Sequence, residues 1–241
     1  MTFYLLHLKN YPIYQQLQLE EALLRCDERN FCLINEGSPP AIVMGISGKP
    51  EELIDLPKAQ STQTPIIKRF SGGGTVIVDE NTLFVSFICQ KQLHDFPSYP
   101  EPIMRWTEGI YQSALPIKNF HLRENDYVID NKKCGGNAQY LCKNRWIHHS
   151  TFLWDYQVER MKHLLHPKKT PSYRQARSHG DFLCRLSEYL PNKNVFIEGF
   201  KEELRTRHDM QEIALEMVLP ILDLPHRKAT TSVIPARNIS S

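Results

Sequence analysis

The sequence lacks the features that mark membrane, secreted and nucleic-acid-binding proteins. No apolar run reaches the roughly 18 residues that a bilayer-spanning helix needs, and residues 1–8 have neither the basic segment nor the cleavage pattern of a secretion signal. Basic and acidic residues nearly balance, 29 against 27, which leaves no net field to attract nucleic acid or an anionic membrane. We therefore expect a cytoplasmic protein with no nucleic-acid and no membrane partner.

Metal-site and common nucleotide motifs are also missing. No two of the six cysteines have C-x-x-C spacing, so we expect reduced thiols and no metal bound by the protein's own side chains. The chain has no G-x-G-x-x-G, G-x-S-x-G or H-E-x-x-H run. Residues 45–50 resemble the end of a P-loop, but Pro50 stands where a Ser or Thr must hold magnesium, so we set this run aside.

What is present is the composition of an ordinary globular domain, with 241 residues of which 41% are hydrophobic. Apolar and alternating runs predict strands at 3–8, 31–35, 41–44, 66–70, 75–79 and 83–89, and a hairpin of 136–142 with 145–153. Helices are predicted at 13–25, at 104–113 and around Phe196 to Leu204, the last capped by Asn194. Strands and helices without regular alternation predict an α+β domain over residues 1–225. Residues 226–241 are predicted to form a polar tail that frays from Ser232.

One charged residue interrupts the apolar face of the first helix. Glu20 falls in the middle of an arc formed by leucines and isoleucine, where a carboxylate has to be paired or hydrogen-bonded. It is either a structural carboxylate that holds a loop or a brace for an active-site loop. Both interpretations predict that Glu20 is buried and accepts hydrogen bonds.

A glycine triplet is the first motif with chemical consequences. Gly72 to Gly74 separate two β-like runs, permit a positive φ and remove every Cβ, so that backbone N–H groups can converge on an anion. Arg69 adds a planar fork suited to phosphate or carboxylate, and Ser71 adds a hydroxyl. The pattern favours an anion-binding loop over the alternative of a merely flexible one.

Two further motifs combine a cation or a histidine with small residues. Lys133 precedes Gly135 and Gly136, which favours a site over the solvated face that tandem lysines usually form. His148 and His149 are neighbours on a predicted strand and therefore point to opposite faces. Only one of them can face a given site, and the alternative for that one is a core histidine.

Taken in order, these motifs resemble the lipoate–protein ligase family, within the biotin and lipoate ligase fold. The pattern R-x-S-G-G-G-x-V-x-x-D runs from Arg69 to Asp79, and Asn125-Asp126 matches an N-D pair. The K-x-x-G-x-A-Q element begins at Lys133, and the H-[GS]-[ST]-x-L element begins at His149. The resemblance covers residues 3 to about 190. It implies a mixed or antiparallel sheet flanked by helices, of the catalytic-domain type, without a full C-terminal accessory domain.

The resemblance implies a ligase that forms lipoyl-adenylate from ATP, with Mg²⁺ accompanying the nucleotide, and passes the acyl group to a lysine of a carrier protein. Lys133 is then the catalytic cation, which stabilises charge on acyl and phosphate oxygens and belongs to the ATP site as well. The other implied ATP-binding residues are Arg69, Gly74, Thr75, Val76 and Ile77. The implied substrate-binding residues are Ser71, Gly72, Gly73, Asp126, Gly136, Asn137, Ala138 and His149.

The implied partners follow from the same resemblance. They are lipoate or octanoate, and as carriers the lipoyl domains of 2-oxoacid dehydrogenase E2 subunits or the glycine cleavage H protein. A separate accessory protein for the ATP step is also compatible with the resemblance. The basic stretch between residues 160 and 179 is a candidate docking surface for an acidic carrier, or else a solvated face. Its basic residues are Arg160, Lys162, Lys168, Lys169, Arg174 and Arg177.

Two other functions stay open. An ATP-independent octanoyl or lipoyl transferase would use a cysteine thioester, for which Cys134 and Cys142 are the candidates because a thiol beside Lys133 is expected to have a lowered pKa. A non-catalytic lipoyl-binding subunit is the third candidate. The sequence also departs from the family pattern at Asn81-Thr82, where a G-N pair is common, and at Ser150, where glycine often follows the histidine.

Overall fold

We describe a computed structural model of the chain over residues 2–165, 171–175 and 177–234. No helix in these ranges is long and apolar enough to cross a membrane. The helices are α1 Ile13–Cys26, α2 Pro50–Leu53, α3 Leu56–Ser61, α4 Pro100–Ala114, α5 Val158–Met161, α6 His179–Phe182 and α7 Lys193–Arg207. Short 3-10 turns lie at Lys91–Leu93, Ser172–Arg174, Leu186–Glu188, Leu215–Met217 and Leu219–Asp223.

The larger sheet has eight strands in the order β11-β1-β2-β6-β10-β9-β8-β7. Strand β1 runs parallel to both of its neighbours, and every other neighbouring pair is antiparallel, so the sheet is mixed. Its strands are β1 Thr2–Lys9, β2 Asn30–Glu36, β6 Thr82–Gln90, β7 Phe120–Arg123, β8 Asp126–Ile129, β9 Lys132–Leu141, β10 Arg145–Leu153 and β11 Asp209–Glu212.

The smaller sheet has four strands in the order β12-β4-β3-β5. Strand β3 is central, parallel to β4 and antiparallel to β5. These strands are β3 Ala41–Met44, β4 Ile66–Lys68, β5 Val76–Val78 and β12 Thr231–Ile234. Because the glycine triplet connects β4 to β5 across β3, the small sheet holds both ends of that loop.

Both faces of the larger sheet are covered, as strand β6 shows. Leu83, Val85 and Phe87 pack in one apolar cluster with residues of α4 and α7. Phe84 and Ile88 point to the other face and pack with α1 and the smaller sheet. Side chains alternate along a strand, so a strand that is buried on both faces needs the nearly continuous apolar run seen in β6. The expected α+β fold, a mixed sheet flanked by helices, is confirmed.

Several predicted boundaries differ from the structure. The runs predicted as strands at 66–70 and 75–79 are shorter, because the backbone leaves the sheet after Lys68 to form the glycine loop. Strand β9 begins at Lys132 rather than at 136, and therefore includes two glycines that disfavour strands in sequence-based prediction. Helix α4 begins at Pro100, which suits the first turn of a helix because proline lacks an N–H.

The C-terminal part of the chain also corrects two expectations. The N-cap of α7 is Asn192, whose side chain accepts a hydrogen bond from the N–H of Val195, and not Asn194. The expected fraying from Ser232 is wrong for the described residues, because β12 pairs with β4. The carboxylate of Glu21 accepts hydrogen bonds from the N–H groups of Ala229 and Thr230 and so holds this segment on α1. The domain boundary at residue 225 stays a prediction.

Candidate active site

A cavity of about 910 Å³ is lined by residues of both sheets. Helix α1 supplies one wall, the glycine loop and β5 a second, and β9 with β10 a third. Twelve of the residues singled out from the sequence line it: Arg69, Gly72, Gly73, Gly74, Thr75, Val76, Ile77, Asp126, Lys133, Gly136, Asn137 and Ala138. His149 lines it as well, whereas Ser71 is fully buried behind the wall.

The glycine loop has its shape because Gly73 carries no side chain. Gly73 has a φ of +105°, and a Cβ there would lie 2.6 Å from Nη2 of Arg69 and 3.2 Å from Cβ of Ala138. The N–H of Gly72 donates to the carbonyl of Gln139, which ties the loop to β9. By contrast, a Cβ at Gly74 would meet nothing within 4 Å. The loop that contains the glycine triplet therefore has a defined conformation. Of Gly73 and Gly74, only Gly73 has to be a glycine for steric reasons.

Arg69 is the organiser of this loop. Its guanidinium donates to the carbonyls of Gly72 and Gly74 and to the hydroxyl of Ser71, and its side chain is almost completely buried. Burial lowers the pKa of Arg69 to about 10, so it remains charged at neutral pH. Its donors are directed at the protein's own carbonyls. The expected contact of Arg69 with nucleotide phosphates thus stays a prediction.

Lys133 enters the cavity from β9 and is held by an acid. Its Nζ lies 2.7 Å from Oδ1 of Asp126 on the neighbouring strand β8. The other oxygen of Asp126 accepts a hydrogen bond of 2.8 Å from the hydroxyl of Tyr173. Burial, and then the Asp126 charge, raise the pKa of Tyr173, so its proton stays on the phenol. Lys132 is exposed and does not line the cavity, as expected.

A row of buried, hydrogen-bonded side chains closes the cavity at the end where α1 lies. Glu20 is fully buried and accepts hydrogen bonds from Nε2 of Gln16 and, at 2.8 Å, from Nε2 of His149. Nδ1 of His149 lies 3.3 Å from the hydroxyl of Ser71, at hydrogen-bond distance. The prediction that Glu20 is buried and hydrogen-bonded is confirmed. Through His149 and Ser71 it braces the glycine loop.

Strand alternation separates residues that the sequence grouped together. Ala138 and His149 are cross-strand partners on the face of the sheet that carries the glycine loop. Asn137 pairs with Ser150 and points to the opposite face, where its amide donates to the carbonyl of Asn125. The side chain of Asn137 therefore points away from the glycine loop, and its expected acyl-binding role stays a prediction.

Several cavity residues were missed by the sequence reasoning. Ser47, Gly48 and Lys49 belong to the run that we set aside as a failed P-loop, yet they line the cavity. The signal was present in the glycines: a Cβ at Gly45 would lie 2.4 Å from the carbonyl oxygen of Gly73, so this run packs directly on the glycine loop. A glycine–lysine run beside a strand can therefore line the cavity without forming a P-loop.

Arg174 and Thr75 also line the cavity and bring unpaired polar atoms to it. Arg174 is 6% exposed, and its Nη2 has no hydrogen-bond partner. Oγ1 of Thr75 is likewise buried without a partner. In the described part of the chain, no group of three His, Cys, Asp or Glu side chains is placed to hold a metal ion.

Two cations in the described part of the basic stretch at 160–179 are paired or buried. Arg160 is paired with Asp79 and Glu80, and Arg174 is buried. Lys168 and Lys169 lie outside the described residues. The docking interpretation therefore loses two of its charges to local interactions.

The candidate cysteines are placed unfavourably for a nucleophile. Cys134 is fully buried, and its thiol donates to the carbonyl of Tyr127. Burial raises the pKa of Cys134 well above the usual value, contrary to the expectation that Lys133 would lower it. Cys142 donates to the carbonyl of Arg145, and neither cysteine lines the cavity.

If this loop holds ATP, as the resemblance implies, we expect Gly73→Ala to abolish ATP binding, because the new Cβ collides with the guanidinium of Arg69 and forces the loop open. Isothermal titration with ATP measures the effect. Gly74→Ala is the control for folding, and its thermal stability should match the unmodified protein because its Cβ has free space. Unchanged ATP affinity in Gly73→Ala would contradict the role of this loop.

We expect Glu20→Ala to lower the free energy of unfolding by about 1–3 kcal/mol, because it leaves buried donors of Gln16 and His149 without a partner. Urea denaturation measures the loss. Glu20→Gln keeps the volume and an acceptor oxygen, so it should lose less. Equal stability of all three proteins would rule out the brace.

Known proteins with similar sequences are named as lipoate–protein ligases. A Plasmodium falciparum protein named inactive lipoate–protein ligase 2 is 29% identical, over 84% of this chain and 69% of its own length. A probable lipoate-protein ligase A of Mycoplasma pneumoniae is 29% identical, over 90% and 67%. Lipoate-protein ligase LplJ of Bacillus subtilis is 28% identical, over 68% and 49%. The chain thus spans half to about two thirds of the length of these relatives.

Solved structures share the fold. A lipoate-protein ligase A bound with ATP superimposes with a TM-score of 0.70 at 19% identity, covering 92% of this chain and 93% of that one. A bi-partite lipoate protein ligase of Thermoplasma acidophilum gives 0.72 at 19%, covering 92% and 90%. LipL1 of P. falciparum in complex with lipoate gives 0.70 at 17%, covering 93% and 69%. The family of the lipoyl protein ligase A/B catalytic domain matches residues 12–208. This chain belongs to that family of lipoate–protein ligases.

Proposed function

We propose that this protein attaches lipoate or octanoate to a lysine of a lipoyl carrier domain through an acyl-adenylate made from ATP. The observation that carries the proposal is the position of Lys133. Its ammonium projects into one cavity that has the glycine loop on one side and His149 on another, and Asp126 holds it there. A cation at that position can stabilise charge on an acyl oxygen and on a phosphate at the same time.

The reaction has two steps in this proposal. The carboxylate of lipoate attacks the α-phosphate of ATP, and pyrophosphate leaves. The amine of the carrier lysine then attacks the acyl carbonyl, and AMP leaves. Gly74 to Ile77 form the cavity wall nearest the loop and are proposed to contact the nucleotide. An acyl-adenylate hydrolyses readily, so we propose that the bound substrates themselves help to exclude water from the cavity around Lys133.

The neighbours support both substrates. One structure in the same fold is described as bound with ATP and another as in complex with lipoate. The bi-partite ligase of Thermoplasma acidophilum was studied with its E2 lipoyl domain. By analogy we propose lipoyl domains of E2 subunits or the glycine cleavage H protein as carriers, in the cytoplasm. A separate accessory protein for the ATP step is compatible with the same proposal.

Magnesium enters the proposal with the nucleotide. Mg²⁺ is commonly held by substrate phosphates together with one or two carboxylates and water, and needs no cage of protein ligands. Both oxygens of Asp126 are engaged, by Lys133 and Tyr173. We therefore assign the ion to the ATP phosphates, and we give it no part in the reaction steps.

Two other functions are weighed by specific observations. A transferase with a cysteine thioester is disfavoured by the burial of Cys134 and by the absence of Cys142 from the cavity wall. A non-catalytic role has one argument in its favour, since one of the relatives is named inactive. Against it stand Lys133, Asp126 and the glycine loop, which are assembled in one cavity.

We expect the purified protein to modify an apo lipoyl domain only when both lipoate and ATP are present, with release of one pyrophosphate per acyl group. Intact mass of the carrier and a pyrophosphate assay measure the two products. Octanoyl carrier protein offered without ATP is the control for the transferase. Acyl transfer from that donor would replace the ligase by the transferase, and no modification even with an added accessory protein would favour the non-catalytic subunit.

We expect Lys133→Ala to lower kcat by roughly 10²–10³-fold with a smaller effect on KM for lipoate, because the ammonium stabilises charge that grows in the transition state. Lys132→Ala is the matched control and should retain activity, since Lys132 lies outside the cavity. Lys133→Arg should rescue only in part, because a planar fork does not replace a compact ammonium. An active Lys133→Ala with an inactive Cys134→Ala would overturn the assignment.

A further inference from the structure

His148, the neighbour of the cavity histidine, is enclosed on the opposite face of β10 without any contact with solvent. Its cross-strand partner is Gln139, and two residues along the strand Ser150 faces Asn137. The four side chains lie on one face of the β9–β10 ribbon, because cross-strand partners and residues two apart share a face. They form a row of hydrogen bonds whose distances run from 2.8 to 3.1 Å.

Two main-chain carbonyls fix the orientation of the two side-chain amides in this row, and the direction of each hydrogen bond follows from those orientations. The amide nitrogen of Gln139 donates to the carbonyl of Pro100, and that of Asn137 donates to the carbonyl of Asn125. A carbonyl can only accept, so both amide orientations follow. Nδ1 of His148, 2.8 Å from the Gln139 nitrogen, must then accept.

The proton of His148 therefore sits on Nε2. Burial, and then the neighbouring His149, lower the pKa of His148 to about 3, so the ring is neutral near pH 7. With Nδ1 accepting, Nε2–H donates to the hydroxyl of Ser150 at 3.1 Å, and that hydroxyl donates to Oδ1 of Asn137. The row is a directed relay in which His148 is the one member that both accepts from Gln139 and donates onward.

The relay ends one residue before the acid that holds the catalytic lysine. Asn137 clamps the carbonyl of Asn125, and Asp126 follows directly. The C-terminal half of β9, beyond Gly136, has no strand partner other than β10 among the described residues. The side-chain amide of Asn137 links this half of β9 to the turn before β8.

We propose that His148 is a positioning residue, which acts through Ser150 and Asn137 on the Asn125–Asp126 turn and so sets the place of Lys133. The inference rests on the proposed function for its kinetic consequence and on the geometry alone for the relay. His148 touches no reacting atom in this scheme. Its neighbour His149 lines the cavity on the other face, so two adjacent histidines have separate tasks.

The kinetic test compares two substitutions of His148. We expect His148→Met to lower kcat about tenfold with KM for lipoate within about twofold, because Lys133 is displaced while the face with His149 keeps its contacts. His148→Gln offers both an acceptor and a donor and should recover most of the loss. Combined with Asn137→Ala, His148→Met should cost no more than the worse single variant, because both break one relay.

The control is Thr107→Val, which removes the other hydroxyl within reach of Nε2, at 3.3 Å, and leaves the row intact. It should keep kcat near that of the unmodified protein. Three outcomes would each overturn the proposal in favour of simple packing. The first is a loss of kcat in Thr107→Val equal to that in His148→Met, and the second is an equal loss in His148→Gln and His148→Met. The third is additive losses in the double variant.

A spectroscopic test does not need activity. In protein labelled with ¹⁵N-histidine, His148 should give the pattern of a neutral ring protonated on Nε2, without titration between pH 5 and 8, and the side-chain amide signals of Gln139 and Asn137 should shift in His148→Met. A ring protonated on Nδ1, or unshifted amides, would refute the relay. An unmodified protein that has the expected spectrum but stays inactive even with an added accessory protein would instead refute the proposed function and leave the relay standing.

Discussion

The guanidinium of Arg69 is buried inside the loop that it organises, and the rest of the site depends on this arrangement. A buried charge must be satisfied by hydrogen bonds, and here the partners are carbonyls of the loop itself together with Ser71. The loop can wrap the guanidinium only where a side chain is missing, at Gly73. The same glycine lets the loop approach β9, so one buried cation sets both the shape of the loop and the width of the cavity.

The loop is held from its other side by a chain of polar groups that starts in α1. Glu20 orients His149, His149 is placed beside Ser71, and Ser71 accepts from Arg69. The next residue of α1, Glu21, holds the segment that leads into β12, and β12 pairs with β4 just before Arg69. Two adjacent carboxylates of one helix therefore support the glycine loop by separate routes. This explains how residues near both ends of the described chain bear on one site.

The two faces of the β9–β10 ribbon carry different groups of residues of the candidate site. One face presents Ala138 and His149 on the side of the glycine loop, while the other carries the row from Gln139 to Asn137, whose members Gln139, Ser150 and Asn137 also line the cavity. Because successive side chains alternate, a residue can support its neighbours without contacting a substrate. The acid that holds Lys133 lies on the strand β8 beside this ribbon, so the lysine is positioned by pairing register as well as by charge.

The sequence by itself determined the fold class, the family and a set of residues that line the cavity. Alternation and apolar runs located β3, β6 and β10 closely, because such patterns lie in consecutive residues. For the same reason the glycine triplet, Lys133 and the His-Ser-Thr run could indicate the candidate site. Glu20 was recognisable because a charge on an apolar helix face has few explanations.

Only the tertiary structure decided which atoms meet. The guanidinium of Arg69 is hydrogen-bonded to its own loop, and its expected contact with nucleotide phosphates stays a prediction. Asn137 and Ala138, adjacent in one motif, point to opposite faces, and Ser47 to Lys49 line the cavity although they form no P-loop. The strand β12 was invisible because its apolar residues are few and its order depends on Glu21, about 200 residues away in sequence. Pairing register, burial and long-range hydrogen bonds are properties of contacts between distant segments, and a local pattern carries no record of them.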